Sequence, residues 1–162
     1  KPVIMLAEGA AMAGGLGMLC AGDIVVVTED CKFALTETTL GIPPAQIAPF
    51  VSQRIGLAKA RRIMLTAARF TGKEAHEMGL ADFVAKDADD LKVIEADIKK
   101  GVLKCAPGAN AVTKEIVLAT RHLTRKEMIE FAAKGFAERM LSDEGKEGIS
   151  SFIEKRKPKW SK

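Results

Sequence analysis

A glycine-rich turn and one carboxylate downstream of it are the residues of this sequence best suited to chemistry. Residues 9–17 are small or apolar and include glycines at positions 14, 15 and 17. Backbone N–H groups at the point where such a turn opens a helix can stabilise an oxyanion. Glu37 follows the apolar residues 33–35, and a carboxyl group in a partly apolar setting can transfer protons. The two features together predict an anion hole that faces a general acid or base.

Both features also have an explanation without chemistry. Gly14, Gly15 and Gly17 would equally allow a helix to pack closely against its surroundings. Glu37 would equally serve as a charge at the end of a helix or strand in solvent. The turn is neither a G-x-G-x-x-G fingerprint with an acid about 20 residues on nor a Walker loop, which argues against a nucleotide site of either kind.

The other reactive residue types form no recognised site. His76 and His122 belong to no H-E-x-x-H motif or Cys/His cluster, so no metal site is expected. Cys20, Cys31 and Cys105 have no C-x-x-C spacing, and reduced thiols in a cytoplasmic protein are the expectation. No serine lies in a G-x-S-x-G elbow, which argues against a hydrolase of that kind.

Short strands followed by helices must position these residues. Strands are predicted at 3–7, 23–28, 32–35 and 80–84, with a short helix over 14–21. Further helices are predicted at 58–67, 71–78, 87–103, 109–119, 124–141 and 145–154. This order is an α/β (α+β) pattern with few strands. Because so few strands make an incomplete sheet, we expect them to need partners outside this sequence.

Composition limits the partners that can be expected. The 162 residues are 48% hydrophobic and 28% charged, which fits one globular domain. The net charge of +4 is too mild to indicate nucleic acid, although it suits a binder of phosphorylated small molecules. The basic residues 155–159 could meet phosphate or form a solvated helix end. The absence of Tyr and the single Trp make base stacking a poor hypothesis, so no nucleic-acid partner is expected.

The start of the sequence and its apolar runs bear on location. No apolar run approaches the roughly 18 residues that a membrane span needs, and none is expected. The sequence begins at Lys1 with no signal peptide and no initiator Met. We therefore expect it to be part of a longer protein.

Four segments occur in a fixed order, at residues 1–24, 33–43, 65–80 and 143–157. The first contains the glycine-rich turn and the second contains Glu37. In this order they resemble the oxyanion segment, the second acid motif, the next helix pair with its strand, and the C-terminal signature of the crotonase (enoyl-CoA hydratase/isomerase) superfamily. The order of the four is much more specific than any one of them.

The resemblance implies an architecture and a substrate. It implies a ββα spiral core over residues 1–85, with its N-terminal part missing, and a C-terminal helical trimerisation region over 86–162. It implies a homo-trimer or dimer of trimers that acts on an acyl-CoA thioester. Coenzyme A would belong to the substrate, so no separate cofactor is expected.

The resemblance also assigns roles to residues. The Gly14 N–H would hold the thioester oxygen together with a second N–H from an upstream segment that this chain does not contain, and Glu37 would transfer the proton. Substrate contacts would come from a further set of residues, with the lysines at the phosphate end of coenzyme A: Gly15, Gly17, Leu40, Gly41, Pro43, Lys155 and Lys157.

Two departures from the family pattern refine the expectation. Hydratases with paired acids carry a Glu where this chain has Gly17, and residues 44–50 replace the usual glycine-rich loop. Both departures resemble bacterial hydratases of methylglutaconyl-CoA and isohexenylglutaconyl-CoA, which serve leucine and acyclic terpene breakdown. Reversible hydration of a 3-branched enoyl-CoA is therefore expected. The alternatives are a single-acid isomerase, a non-catalytic crotonase-like subunit and, more weakly, RNA binding by the basic tail.

Overall fold

The computed structural model describes residues 1–161, which contain six strands and eight α-helices. The strands are β1 Ile4–Ala7, β2 Ala10–Met12, β3 Ile24–Thr28, β4 Lys32–Ala34, β5 Arg69–Thr71 and β6 Phe83–Ala85. The helices are α1 Gly14–Cys20, α2 Ala48–Ile55, α3 Leu57–Leu65, α4 Gly72–Glu77, α5 Ala88–Leu103, α6 Pro107–Ala119, α7 Arg125–Leu141 and α8 Asp143–Ile153. The predicted helices are thus confirmed with small shifts at their ends.

The strands form two small sheets that the chain visits alternately. One sheet has the order β1-β3-β6 and is parallel throughout, with Ala7 opposite Val27. The other has the order β2-β4-β5, in which β2 and β4 are parallel and β5 is antiparallel to β4. β1 leads into β2, and β3 leads into β4. Because β2 and β4 are parallel neighbours, the segments that follow them leave the same edge of this sheet side by side. Gly14 follows β2 and Glu37 follows β4.

A continuous apolar core fixes these sheets. Val25, Val26 and Val27 of β3 are fully buried, as expected for a parallel strand that is covered on both faces. Phe33 of β4 is also fully buried and stacks on Phe70 of β5, with ring centroids 5.4 Å apart. Full burial of one such side chain is typically worth about 1.5–3 kcal/mol. The core therefore holds β3 and β4, and with them the segments that follow.

The contacts divide the chain into two compact units. One unit is Val3–Asp97, and the other joins Lys1–Pro2 to the chain from Ile98 on. The expected division into residues 1–85 and 86–162 rests on family architecture and stays a prediction.

The helical unit leaves much apolar surface exposed. None of the residues of α7, all of which the structure describes, is buried, although the helix contains the large apolar residues Phe131, Phe136 and Met140. The side chains of Phe136 and Phe152 are 68% and 85% exposed.

A search of the helices within residues 1–161 found none with the length and apolar character that crossing a membrane requires.

Candidate active site

An unusual backbone conformation precedes the first turn of α1. Ala13 has φ 46° and ψ −120°, a region that residues with a Cβ rarely adopt and that costs about 1–3 kcal/mol. Two hydrogen bonds hold it there. The Ala13 N–H donates to the Ala34 carbonyl of β4 at 2.9 Å, and the Ala13 carbonyl accepts from the Gly17 N–H at 3.2 Å. Gly14 then begins the helix, where the first N–H groups have no acceptor within the helix itself.

The space in front of Gly14 is open. A Cβ added to Gly14 would have no neighbour within 4 Å among the described residues. Packing within this part of the chain therefore does not explain the glycine. A ligand atom can therefore approach Gly14.

Glu37 lies at the start of a tight turn that follows β4. It is the first residue of a 3₁₀ turn, Glu37–Leu40, and its carbonyl accepts from the Ile42 N–H at 3.2 Å. The side chain is half-buried, and Oε2 is fully buried without a hydrogen-bond partner among the described residues. A buried polar atom without a partner costs free energy, and such atoms are uncommon in native proteins. The unpartnered oxygen therefore points to a ligand or a reacting group at this position.

One cavity brings these two residues together. Its volume is about 300 Å³, and its lining residues are Gly14, Glu37, Ile42, Pro43, Pro44, Ala45, Gln46 and Ile47. Among these, Glu37 and Gln46 contribute the two polar side chains. The cavity is therefore lined by the first residue of α1, by one carboxylate residue and one amide residue, and by several apolar residues.

Ile47 leaves no room for a carboxylate side chain at position 17. A Cβ at Gly17 would lie 2.5 Å from Ile47 Cβ and closer still to Ile47 Cγ2. Contacts this short do not occur between real side chains, so residue 17 has no room for a carboxylate while Ile47 keeps its place. The position of the second family acid is thus occupied by an isoleucine side chain that packs against the core.

The remaining predicted site residues fall into two groups. Pro43 lines the cavity, whereas Gly15 faces Ala11 of β2, and Gly41 closes the turn after Leu40 with φ 75°. Leu40 itself is 74% exposed.

Lys155 and Lys157 are exposed in the other unit, beyond the end of α8. Between them, Arg156 donates hydrogen bonds to Glu147 and Glu154 at 2.6 Å each. The Arg156 guanidinium lowers the pKa of the Glu147 carboxyl to about 2. The substrate contacts of both lysines stay a prediction.

Sequence reasoning missed most of the cavity wall. Ile42, Pro44, Ala45, Gln46 and Ile47 line it and were not singled out. The available signal was the unusual segment 44–50, which marked this loop as different from the family pattern. Spacing alone could not show that Ile47 lies against Gly17, because that contact joins residues from separate elements.

The two buried cysteines are poor candidates for a nucleophile. Burial raises the pKa of the Cys20 and Cys31 thiols to about 11, so both remain protonated near neutral pH. His76 lies near the Ala81 carbonyl, with 3.0 Å between Nδ1 and the oxygen. Within residues 1–161, no group of three or more His, Cys, Asp or Glu side chains could hold a metal ion.

Comparison with known proteins assigns the chain to a family. The family model described as enoyl-CoA hydratase/isomerase matches residues 1–162. The chain belongs to the enoyl-CoA hydratase/isomerase family. A probable enoyl-CoA hydratase of Bacillus subtilis is 35% identical over 99% of the chain and 62% of its own length. The peroxisomal Delta(3,5)-Delta(2,4)-dienoyl-CoA isomerase of Arabidopsis thaliana is 31% identical over 100% of the chain and 59% of its own length.

A solved structure supports the same fold. Pseudomonas aeruginosa AtuE matches with a TM-score of 0.96 and 46% identity, over 98% of this chain and 62% of that one. The predicted crotonase-like α/β fold is therefore confirmed. The chain spans about three-fifths of the length of these relatives.

Proposed function

We propose that the protein carrying this sequence catalyses the reversible hydration of an α,β-unsaturated acyl-CoA. One observation carries the proposal: Glu37, whose Oε2 is buried without a hydrogen-bond partner among the described residues, lines the same cavity as Gly14, the first residue of α1. A proton-transfer group and a donor for an oxyanion are the two components that this reaction needs. Membership of the enoyl-CoA hydratase/isomerase family supports the choice of a thioester substrate.

The chemistry follows from these two groups. The Gly14 N–H donates a hydrogen bond to the thioester oxygen and stabilises the enolate charge, for which one such donor is typically worth about 3 kcal/mol. A water oxygen bonds to C3, and the C2–C3 electron pair moves towards the thioester oxygen. Glu37 accepts the proton that the water loses and delivers it to C2 as the enolate collapses. The product is the 3-hydroxyacyl-CoA.

A double-bond isomerase is the second candidate. The single acid favours it, because Ile47 occupies the space that a second carboxylate would need beside Gly17. Moving a proton from one carbon to another requires one group that can accept and return it. The similarity to a relative described as a dienoyl-CoA isomerase also supports this candidate.

The proposed substrate is a 3-branched, glutaconyl-type thioester. The support is the segment 44–50, which resembles that of methylglutaconyl-CoA and isohexenylglutaconyl-CoA hydratases. The apolar side chains of Ile42, Pro43, Pro44 and Ile47 offer a surface that suits a branched acyl group. A role in leucine or terpene breakdown would follow from this substrate.

The remaining expectations concern assembly and location. A homo-trimer or dimer of trimers, a cytoplasmic location and the absence of a separate cofactor stay predictions. The whole protein would supply the second oxyanion donor. A non-catalytic crotonase-like subunit is the remaining alternative, and it would bind an acyl-CoA without turnover.

The test replaces Glu37 by Gln in the whole protein. We expect hydration of an enoyl-CoA to fall by about 100-fold or more, because the amide cannot transfer the proton, while acyl-CoA binding persists. Glu77→Gln makes the same chemical change at an exposed position of α4 and should leave turnover unchanged. Normal turnover in Glu37→Gln would refute the assignment of Glu37.

A second measurement separates hydration from isomerisation. In water enriched in heavy oxygen, the hydratase incorporates the label at C3, whereas the isomerase produces an unlabelled shifted alkene. Binding of an enoyl-CoA with neither reaction would indicate the non-catalytic subunit instead.

A further inference from the structure

The cavity contains a polar side chain that the single-acid mechanism leaves without a task. Gln46 and Glu37 are the two polar side chains among the residues that line it. Gln46 is exposed, so water can reach its amide from solvent. An amide can accept hydrogen bonds through its oxygen and donate through its nitrogen.

Gln46 is adjacent in sequence to the residue that excludes the second acid. The side chain of Ile47 takes the space beside Gly17, and the preceding residue, Gln46, is one of the residues that line the cavity. The loop thus excludes a carboxylate at position 17, through Ile47, and supplies an amide, through Gln46. Segment 44–50 therefore changes the chemistry of the cavity as well as its shape.

The loop backbone holds Gln46 in place. The Ala45 N–H donates to the Pro43 carbonyl at 2.8 Å, and the Ala48 N–H donates to the Pro44 carbonyl at 2.9 Å. Pro43 and Pro44 also fix their own φ angles. These constraints span both sides of Gln46, so its Cα is supported by a defined backbone, which favours a positioning function.

Addition of water requires more than a base. The water must present a lone pair to C3 while one of its protons points to the carboxylate, and one hydrogen bond to the base still leaves the molecule free to rotate about that bond. A second acceptor fixes its orientation, and orientation of this kind contributes substantially to catalysis. An isomerase needs no such group, because no water takes part.

We propose that Gln46 holds the attacking water for Glu37. This inference rests on the proposed hydratase function. Gln46 Oε1 accepts a hydrogen bond from the proton that the water keeps, and Glu37 accepts the proton that the water loses. The water oxygen bonds to C3, and Glu37 returns the proton to C2. Gln46 gains and loses no proton, so the same amide serves both directions of the reaction.

The experiment compares two reactions in the whole protein. The first is hydration of an enoyl-CoA, which needs Glu37, Gly14 and Gln46. The second is exchange of the C2 protons of a saturated acyl-CoA with deuterium from heavy water, which needs only the base and the oxyanion donors. Gln46→Leu removes both polar atoms of the amide at similar size. We expect kcat for hydration to fall by about tenfold to 100-fold, while C2 exchange stays within about threefold of wild type.

Two further variants complete the design. Gln46→Glu keeps an acceptor at this position and should retain hydration better than Gln46→Leu. Gln53→Leu makes the same change on α2, outside the cavity lining, and should leave both reactions unchanged.

Different results would overturn the proposed hydratase function and the proposed role of Gln46. A wild-type protein that exchanges C2 protons but does not hydrate would overturn the proposed function. A wild-type hydratase in which Gln46→Leu still hydrates normally would overturn the role of Gln46 alone. The same conclusion would follow if hydration and exchange fell together, or if Gln46→Glu lost as much as Gln46→Leu.

Discussion

At the scale of single residues, Gly17 and Ile47 are coupled by the space between them. Because a Cβ at Gly17 would fall within 2.5 Å of Ile47 Cβ, neither residue can be enlarged without moving the other. We predict that Gly17→Ala lowers the free energy of unfolding by about 1–3 kcal/mol through overpacking. In an Ile47→Ala background the same change should cost clearly less, because the clashing atoms are gone.

Denaturant unfolding of the four proteins of this cycle measures the coupling. Gly14→Ala is the matched control, since an added Cβ there meets no described atom within 4 Å. It should change stability by no more than about 0.5 kcal/mol. An equal cost of Gly17→Ala in both backgrounds would show that Ile47 does not determine residue 17.

Gly17 and Ile47 also show which part of the site could be predicted from the sequence and which part could not. Glu37 and Gly14 could be predicted to act together, because family order connects two segments that are well separated in sequence. The sequence shows directly that Gly17 stands where an acid would be expected. The contact between Gly17 and Ile47 could not be predicted, because it depends on the packing of α1 against the segment before α2. A side-chain contact of this kind leaves no periodic signal in either segment.

At the scale of elements, local signals predicted helix ends better than strands. The start of α4 is a capping box of Thr71 and Glu74, a pattern that the sequence shows directly, and the Thr71 N–H donates to Glu74 Oε2 at 2.7 Å. This interaction involves neighbours in sequence and is therefore visible there. Strands β2 and β5 were not predicted, because each has three residues and depends on pairing with β4.

The junction between β5 and α4 depends on a glycine. A Cβ at Gly72 would overlap the Thr28 carbonyl at the end of β3, and a backbone atom cannot rotate away. We predict that Gly72→Ala costs at least about 2 kcal/mol of unfolding free energy. The capping box and the position of α4 against the β1-β3-β6 sheet should loosen with it.

Gly101→Ala in α5 is the control for this substitution. An added Cβ there has no neighbour within 4 Å among the described residues. Replacing glycine by alanine inside a helix is typically favourable by about 0.5–1 kcal/mol. Thermal or urea unfolding should therefore move in opposite directions for the two variants. A loss of stability in both would indicate a general effect of the added methyl group rather than the contact with Thr28.

At the scale of the whole molecule, the two units differ in how completely they bury their apolar residues. The Val3–Asp97 unit has a continuous core around β3 and β4. The helical unit leaves large side chains in solvent, among them Leu141, Phe152 and Ile153, each more than 70% exposed. Exposed apolar surface of this extent is typical of a protein interface. The fold class could be predicted from the motif order, whereas the exposed surface required the structure.

In the predicted trimer or dimer of trimers, neighbouring subunits would cover this exposed apolar surface. We expect the whole protein to elute as a homo-oligomer, and Phe152→Glu should shift it towards smaller species, because a charge placed in an apolar contact must lose its hydration. Thr113→Glu adds the same charge at an exposed polar position of α6 and should leave the assembly unchanged. Light scattering coupled to gel filtration gives the mass of each. If the wild-type protein is a monomer, an oligomer does not cover this surface and the predicted assembly is wrong.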